Sequence, residues 1–141
     1  MDPNWTYRWK DAQAHIPREK IRDLELDFRM GFLEAALPAR SEDRDLLSEL
    51  GEIYTRRGMY REGLALDIKL ARLFPDDPVV NYNLACSLAL SGETERSVKA
   101  IQKAILKGFA EFDLLRSDED LASLRELPEF RALLEKAPKI S

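Results

Sequence analysis

Residues 44–77 have the sequence RDLLSELGEIYTRRGMYREGLALDIKLARLFPDD, and residues 78–111 have the sequence PVVNYNLACSLALSGETERSVKAIQKAILKGFAE. The two stretches match at an offset of 34 residues, a period that is associated with helical solenoids. Each copy has a glycine where a helix of about fourteen residues would end, because glycine adopts a left-handed backbone conformation at the least cost. A second helix is predicted to start directly after each glycine. The matched pairs are Leu50 with Leu84, Tyr54 with Leu88, Gly58 with Gly92, Glu62 with Arg96, and Leu64 with Val98.

The two copies resemble the tetratricopeptide repeat (TPR) family, whose unit is a helical hairpin with the pattern W-x2-L-G-x2-Y, then A-x3-F, then P. The first copy departs from this pattern at Gly63, where alanine is usual, and at Asp67, where an aromatic residue is usual. The second copy has Asn81 at the tryptophan position and Ser97 at the alanine position. The residues that carry the resemblance are Leu47, Leu50, Gly51, Tyr54, Gly58, Tyr60, Glu62 and Pro75 in the first copy, and Leu84, Ala85, Leu88, Gly92 and Ala104 in the second.

The resemblance implies an all-α fold: a right-handed α-solenoid of antiparallel helix hairpins with about eight helices. Small residues are expected where the two helices of a hairpin approach closely, and large residues are expected between hairpins. Asp67 lies on a face that normally packs, so we expect it to turn outward or to bond to Tyr54 or a neighbouring arginine. The small residues are Gly51, Gly63, Ala85 and Ser97, and the large ones are Leu50, Tyr54, Leu84 and Leu88.

The predicted domain organisation is a single domain over residues 1–141, in which a degenerate hairpin (1–43) precedes the two repeats (44–77 and 78–111) and capping helices (112–141). In the leading hairpin a first helix would present one apolar face, and the helix over 17–37 has apolar residues on two opposite sides. One side would rest on the repeats and the other on the first helix. The apolar face of the first helix comprises Trp5, Trp9, Ala12 and Ile16. One side of the second helix comprises Ile21, Leu24, Phe28, Phe32 and Ala35, and the opposite side comprises Leu26, Met30, Leu33 and Leu37.

The last 30 residues resemble the closing segment of many bacterial arrays of this family, with a D-x-D-L, L-R, P-x-F, L-L pattern. Ser117 is expected to cap one helix, with acidic residues in its first turn, and Pro128 to begin the last helix. The apolar residues expected to seal the end of the solenoid are Leu121, Leu124, Leu127, Phe130, Leu133 and Leu134.

Composition bounds the class of function. The net charge is -4, so no overall field would collect nucleic acid or an anionic membrane. The apolar runs fall short of the ~20 residues that a membrane-spanning helix needs, and the N-terminus has no secretion-signal pattern. With one cysteine no intramolecular disulfide or thiolate metal cage can form. These features predict a cytoplasmic protein.

No chemical motif points to an enzyme. His15 is the single histidine, and Cys86 therefore has no second imidazole to serve as its base. The Asp76-Asp77 pair before Pro78 is interpreted as a turn and a helix cap, and the acidic residues 118–120 are interpreted as a capped first turn. The phosphate-binding and metal-binding sequence patterns are missing as well. We expect neither catalysis nor a cofactor nor a bound metal.

The resemblance implies a concave groove lined by the first helix of each hairpin, where the family holds peptides or partner segments. Because Ser48 stands where family members that clamp a carboxylate have lysine, an anionic tail is not expected. The predicted partner is a protein or peptide segment with an apolar anchor over Tyr82 and Leu90 and a basic or donor group toward Asp45 and Glu52. The predicted groove residues are Asp45, Ser48, Glu52, Arg56, Val79, Tyr82, Asn83, Cys86 and Leu90.

Two functions therefore follow from the sequence. The first is a non-catalytic scaffold or adaptor that binds a protein or peptide through this groove. The alternative is self-assembly, with a homodimer formed through Trp5, Tyr7, Trp9 and the stripe of Leu26, Met30, Leu33 and Leu37. In a third interpretation, the groove residues only solvate or pack the helices, or the N-terminal aromatic segment covers them.

Overall fold

The computed structural model describes residues 16–136. Within that range the chain is all-helical, with seven α-helices and one 3₁₀-helix and no strand. This architecture confirms the predicted fold class. The α-helices are α1 (Arg18–Ala36), α2 (Arg44–Arg56), α3 (Tyr60–Leu73), α4 (Pro78–Leu90), α5 (Thr94–Leu106), α6 (Phe112–Ser117) and α7 (Pro128–Glu135), and the 3₁₀-helix spans Glu119–Leu124 between α6 and α7.

The 34-residue offset holds at the level of backbone hydrogen bonds. Gly58 and Gly92 both have positive φ, at 74° and 80°, two residues after the last residues of α2 and α4. The amide of the next residue bonds back to the last turn in each case, from Met59 to the carbonyl of Tyr54 and from Glu93 to that of Leu88, both at 2.8 Å. This is the Schellman arrangement, which satisfies the final carbonyls and turns the chain into the next helix.

The starts of α2 and α4 are equivalent too. Asp43 accepts from the amide of Leu46 at 3.0 Å, and Asp77 accepts from Val79 and Val80 at 2.9 and 3.1 Å. The interpretation of the Asp76-Asp77 pair as a turn and a helix cap is confirmed: Asp77 is the N-cap of α4, and Pro78 is the first residue of the helix. Nε of Arg44 donates to Asp77 at 2.6 Å, so the start of α2 is tied to that of α4. This guanidinium is the main reason why the pKa of Asp77 is lowered.

Small residues permit close helix contact within each hairpin, as predicted. A Cβ on Gly63 would lie 2.8 Å from Oγ1 of Thr55 and 3.3 Å from the carbonyl oxygen of Gly51. In the second hairpin the equivalent Ser97 is fully buried and donates to the carbonyl of Ala85 at 2.6 Å. The two hairpins therefore use different chemistry for the same close approach.

The larger hydrophobic core lies between α4, α5 and the segment from Phe109 to Leu134. Leu121, Leu124 and Phe130 are fully buried in it, and Leu127, Leu133 and Leu134 pack against it. The cap of the 3₁₀-helix differs from the prediction: Asp118 is the N-cap and accepts from the amide of Asp120 at 3.0 Å, whereas Oγ of Ser117 donates to the carbonyl of Asp113. An aspartate one residue later offers a stronger acceptor than the serine hydroxyl.

Helix α1 packs against α2 with one of its two apolar sides, and ion pairs and a hydrogen bond also join α1 to α2 and its C-cap. Leu26, Met30, Leu33 and Leu37 are half-buried, whereas Ile21, Leu24, Phe28 and Phe32 are exposed. The polar contacts are ion pairs of Arg57 with Asp27 at 2.7 Å and with Asp23 at 3.2 Å, an ion pair of Arg29 with Glu49, and a hydrogen bond of 2.7 Å from the hydroxyl of Tyr54 to Glu34.

This placement corrects the stripe that was predicted for self-assembly. The side with Leu26 and Met30 is used inside the chain, and the other side faces outward. The predicted tryptophan helix and His15 lie outside the described residues. Among residues 16–136, no helix has the length and hydropathy needed to cross a bilayer.

Candidate functional site

A cleft of about 170 Å³ lies where α2 and α4 meet the 3₁₀-helix. Its walls come from one face of α2 and one face of α4, because side chains three or four positions apart share a face of a helix. Asp67 on α3 also lines the cleft, and Asp118 and Asp120 belong to the capping segment. The lining residues are Ser48, Gly51, Glu52, Thr55, Asp67, Tyr82, Asn83, Cys86, Ser87, Asp118 and Asp120.

Five of the residues predicted for the groove line this cleft: Ser48, Glu52, Tyr82, Asn83 and Cys86. The other four are Asp45, Arg56, Val79 and Leu90, and they lie outside it. Asp45 is exposed and pairs with Arg44 at 3.2 Å, while Arg56 forms an ion pair with Glu52 on the helix surface. Val79 is exposed and Leu90 is the half-buried last residue of α4.

Asp67 has only 6% of its surface exposed. Oγ of Ser87, which is buried as well, donates to Oδ2 of Asp67. Burial raises the pKa of Asp67 to about 6, and the hydrogen bond from Ser87 opposes this shift. The expectation that Asp67 turns outward, or bonds to Tyr54 or an arginine, is therefore wrong: the carboxyl points into the contact between α3 and α4, where its partner is a serine.

Tyr82 forms one wall of the cleft and is held from both sides. Its ring stacks on Phe109 with centroids 4.5 Å apart and an interplanar angle of 9°, and its hydroxyl donates to Asp118. Burial and the neighbouring Asp118 raise the pKa of Tyr82, so the hydroxyl remains a donor. Because the ring is already covered, Tyr82 does not offer the apolar anchor predicted for it.

Cys86, Asp118 and Asp120 bring three possible ligand atoms within 4.8 Å of one another. Sγ of Cys86 lies 3.9 Å from Oδ2 of Asp118. Burial, followed by the charge of Asp118, raises the pKa of the Cys86 thiol. The thiol is therefore protonated at neutral pH and is a poor nucleophile. Among the described residues, this is the one group of three histidine, cysteine or acidic side chains close enough together to hold one metal ion.

The cleft has a strongly negative lining. Glu52, Asp67, Asp118 and Asp120 all contribute carboxyl groups, and no lysine or arginine lines it. Burial and the like charges of Asp118 and Glu119 raise the pKa of Asp120. A group that carries a positive charge would be attracted to this site, and an anion would be repelled.

Three of the eleven lining residues, Asp67, Asp118 and Asp120, lie outside the first helices of the two hairpins, and the sequence does not predict that they line the groove. The pattern around Asp118 and Asp120 indicates only a helix start, and it gives Ser87 no role. The one available signal is Asp67, an acid at a position that is aromatic in the TPR pattern. Asp118 lies beyond the second copy of the repeat, so the 34-residue pattern predicts no contact between Asp118 and Tyr82.

Comparison with known proteins gives partial relatives. No family model matches the chain. A protein of Arabidopsis thaliana whose name describes it as chloroplastic is 24% identical over 129 residues, which cover 89% of this chain and 37% of that protein. The TPR repeat-containing thioredoxin TTL4 from the same plant is 34% identical over 67 residues, which cover 48% of this chain and 10% of that protein. The chain thus spans little more than a third of the first relative and matches about a tenth of the second.

The second comparison agrees with the helical architecture. About half of the chain is similar to a protein whose name includes TPR repeats, and α2–α3 and α4–α5 are antiparallel hairpins offset by 34 residues. The chain is therefore a helical repeat protein with weak, partial similarity to a TPR-containing protein.

Proposed function

We propose that this protein is a non-catalytic interaction module that binds a protein or peptide segment in the cleft between α2, α4 and the 3₁₀-helix. The observation that carries the proposal is the cleft itself: helices from two hairpins and the capping segment converge there with four carboxyl groups and no basic residue. The similarity to a TPR-containing protein supports the same class of function.

The partner segment would bring a basic or donor group rather than an anionic tail. The side chains of Ser48 and Asn83 are half-buried at the cleft, and the exposed Glu52 stands beside them, so a polar rim surrounds a buried acidic floor. This arrangement supports the prediction that the partner carries a basic group. It does not support the prediction of an apolar anchor over Tyr82, because Phe109 covers the ring of Tyr82.

The test uses random twelve-residue peptides displayed on phage and selected on the full chain. We expect peptides selected on the wild type to lose at least about tenfold in affinity for Asn83→Trp, which fills the cleft, and for Glu52→Lys, which reverses a charge at its exposed rim. Arg61→Trp is the matched control, because Arg61 is exposed on α3 and does not line the cleft. Equal affinity for all four proteins would reject the cleft as the binding site.

Self-assembly is the second candidate, and a different observation favours it. The outward side of α1 carries Ile21, Leu24, Phe28 and Phe32, a run of exposed apolar residues on a single helix face. Contiguous apolar surface of this kind is typical of interaction sites. The oligomeric state in solution separates this candidate from the first. The cytoplasmic location and the absence of catalysis stay predictions from the sequence.

A further inference from the structure

The cleft is too small for a metabolite of ordinary size. Its volume of about 170 Å³ lies below the roughly 300–1,000 Å³ of pockets that bind small organic molecules. A space of this size accommodates one extended side chain, which is how a partner segment anchors itself in a groove. The chemistry of the lining then decides which side chain fits.

Three carboxyl groups in the cleft have no cationic partner within the described chain. Glu52 pairs with Arg56, but no lysine or arginine among residues 16–136 forms an ion pair with Asp67, Asp118 or Asp120. Burial disfavours the charge of Asp67, and burial together with the like charges of Asp118 and Glu119 disfavours the charge of Asp120. A positive charge placed in the cleft would stabilise the ionised form of both groups.

Asp67 is the most deeply buried of these three acids. More than nine-tenths of its surface is buried, and its Oδ2 accepts a hydrogen bond from Ser87. Oδ1 receives no hydrogen bond from any described residue and lies beside Gly51, where a Cβ would come within 3.3 Å of it. Oδ1 is not sealed off from solvent and remains open to the cleft, so a donor that enters along the Gly51 side would bond to it.

We infer that this cleft is an anchor pocket for one lysine side chain of the bound segment, with Oδ1 of Asp67 as the acceptor for its ammonium group. The inference rests on the proposed function and specifies the partner. A lysine fits better than an arginine, because an ammonium group is a compact donor that needs one acceptor oxygen, whereas a guanidinium matches both oxygens of a carboxylate at once. Asp118 and Asp120 provide the surrounding negative charge.

The test uses nine-residue peptide libraries with random flanks and a fixed central residue: lysine, Nε-acetyl-lysine, norleucine or arginine. Binding of each library to the full chain is measured in buffer that contains EDTA. The inference predicts that the lysine library binds at least about tenfold more tightly than the acetyl-lysine and norleucine libraries, and more tightly than the arginine library.

Two variants with the same change of charge locate the effect. Asp67→Asn should abolish the preference for lysine over acetyl-lysine, and Asp45→Asn, which removes an exposed acid outside the cleft, should leave it unchanged. Asparagine keeps an acceptor for Ser87, and circular dichroism checks that the variant is folded.

Several results would overturn the inference. They are equal binding of all four libraries, a preference for arginine, a lysine preference that survives in Asp67→Asn, or a preference that appears only when EDTA is replaced by Zn²⁺. Equal binding that Asn83→Trp still abolishes would leave the proposed function intact. Binding that no cleft variant affects would reject both.

Discussion

Asp67 is an acid in a position where burial works against its charge. Its folded-state pKa of about 6 lies above the ordinary 3.8, so the folded protein binds a proton more tightly than the unfolded chain does between these values. Stability therefore falls as pH rises from about 4 to about 6, and then stays constant with respect to this group. The shift corresponds to roughly 2–3 kcal/mol at neutral pH.

Asp67→Asn should remove this penalty while it keeps an acceptor for Ser87. We expect the variant to be more stable than the wild type at pH 7.5 by about 1–3 kcal/mol and to differ little at pH 4. Urea unfolding at the two pH values measures the difference in the free energy of unfolding between the variant and the wild type. The titration of the other carboxyl groups is common to both proteins and cancels in this difference. A difference that is the same at both pH values would contradict the assignment of a raised pKa to Asp67.

The same residue shows what the sequence can and cannot predict. The repeat pattern identifies Asp67 as an acid where an aromatic side chain is expected, because the helical period places it on the packed face of α3. It does not identify Ser87 as the donor, since that contact depends on how α3 rests on α4. The pattern assigns Ser48 and Tyr82 to the groove, and both line the cleft, but it does not predict that Phe109 and Asp118 cover Tyr82.

At the scale of the elements, the hairpin of α2 and α3 depends on the absence of a side chain at residue 63. A Cβ there would be 2.8 Å from Oγ1 of Thr55, whose hydroxyl donates to the carbonyl of Gly51 at 3.1 Å. Threonine is stiff about χ1, and the same Cβ would lie 3.3 Å from the backbone oxygen of Gly51, which cannot rotate away as a side chain can. The close approach therefore holds only if residue 63 is glycine or if the helices separate.

Gly63→Ala should accordingly lower the free energy of unfolding by about 1–3 kcal/mol, although alanine is the better helix former. Gly31→Ala is the matched control, because Gly31 lies on the exposed side of α1, where an added Cβ would have nothing within 4 Å of it. That change should stabilise the protein by up to about 1 kcal/mol. Chemical denaturation of both variants gives the comparison, and a Gly63→Ala protein as stable as the wild type would show that the hairpin is not closely packed there.

The boundaries of the elements follow from local chemistry and are largely predictable. Gly58, Gly92, Asp77 and Pro78 act within one turn of their own position, so their effect is visible in the sequence. The capping segment is harder to predict, because Ser117 and Asp118 are adjacent and both can cap a helix. The structure uses Asp118, whose two oxygens serve the amide of Asp120 and the hydroxyl of Tyr82 at the same time.

At the scale of the whole molecule, the orientation of α1 decides which surface is free. The helix has apolar residues on two sides, and composition alone does not say which side packs inward. The ion pairs of Arg57 with Asp23 and Asp27 lie on the side of Leu26 and Met30, so polar and apolar contacts together fix the rotation of the helix. Phe28 and Phe32 are left 76% and 69% exposed on the other side.

If the chain self-assembles through this face, a second copy would cover Phe28 and Phe32, and a charge placed among them would prevent association. We expect the wild-type chain to sediment as a dimer at about 100 μM. Phe28→Glu should sediment as a monomer with an unchanged circular dichroism spectrum. Lys20→Glu, which changes an exposed residue on a flank of α1, should remain a dimer. Sedimentation velocity measures all three. A wild type that is monomeric at this concentration would contradict self-assembly and leave peptide binding as the proposed function. A dimer that Phe28→Glu does not dissociate would show that the interface does not involve this face of α1. The physical reason for the expected sensitivity is that burying an unpaired carboxylate in an apolar contact costs more than the contact gains.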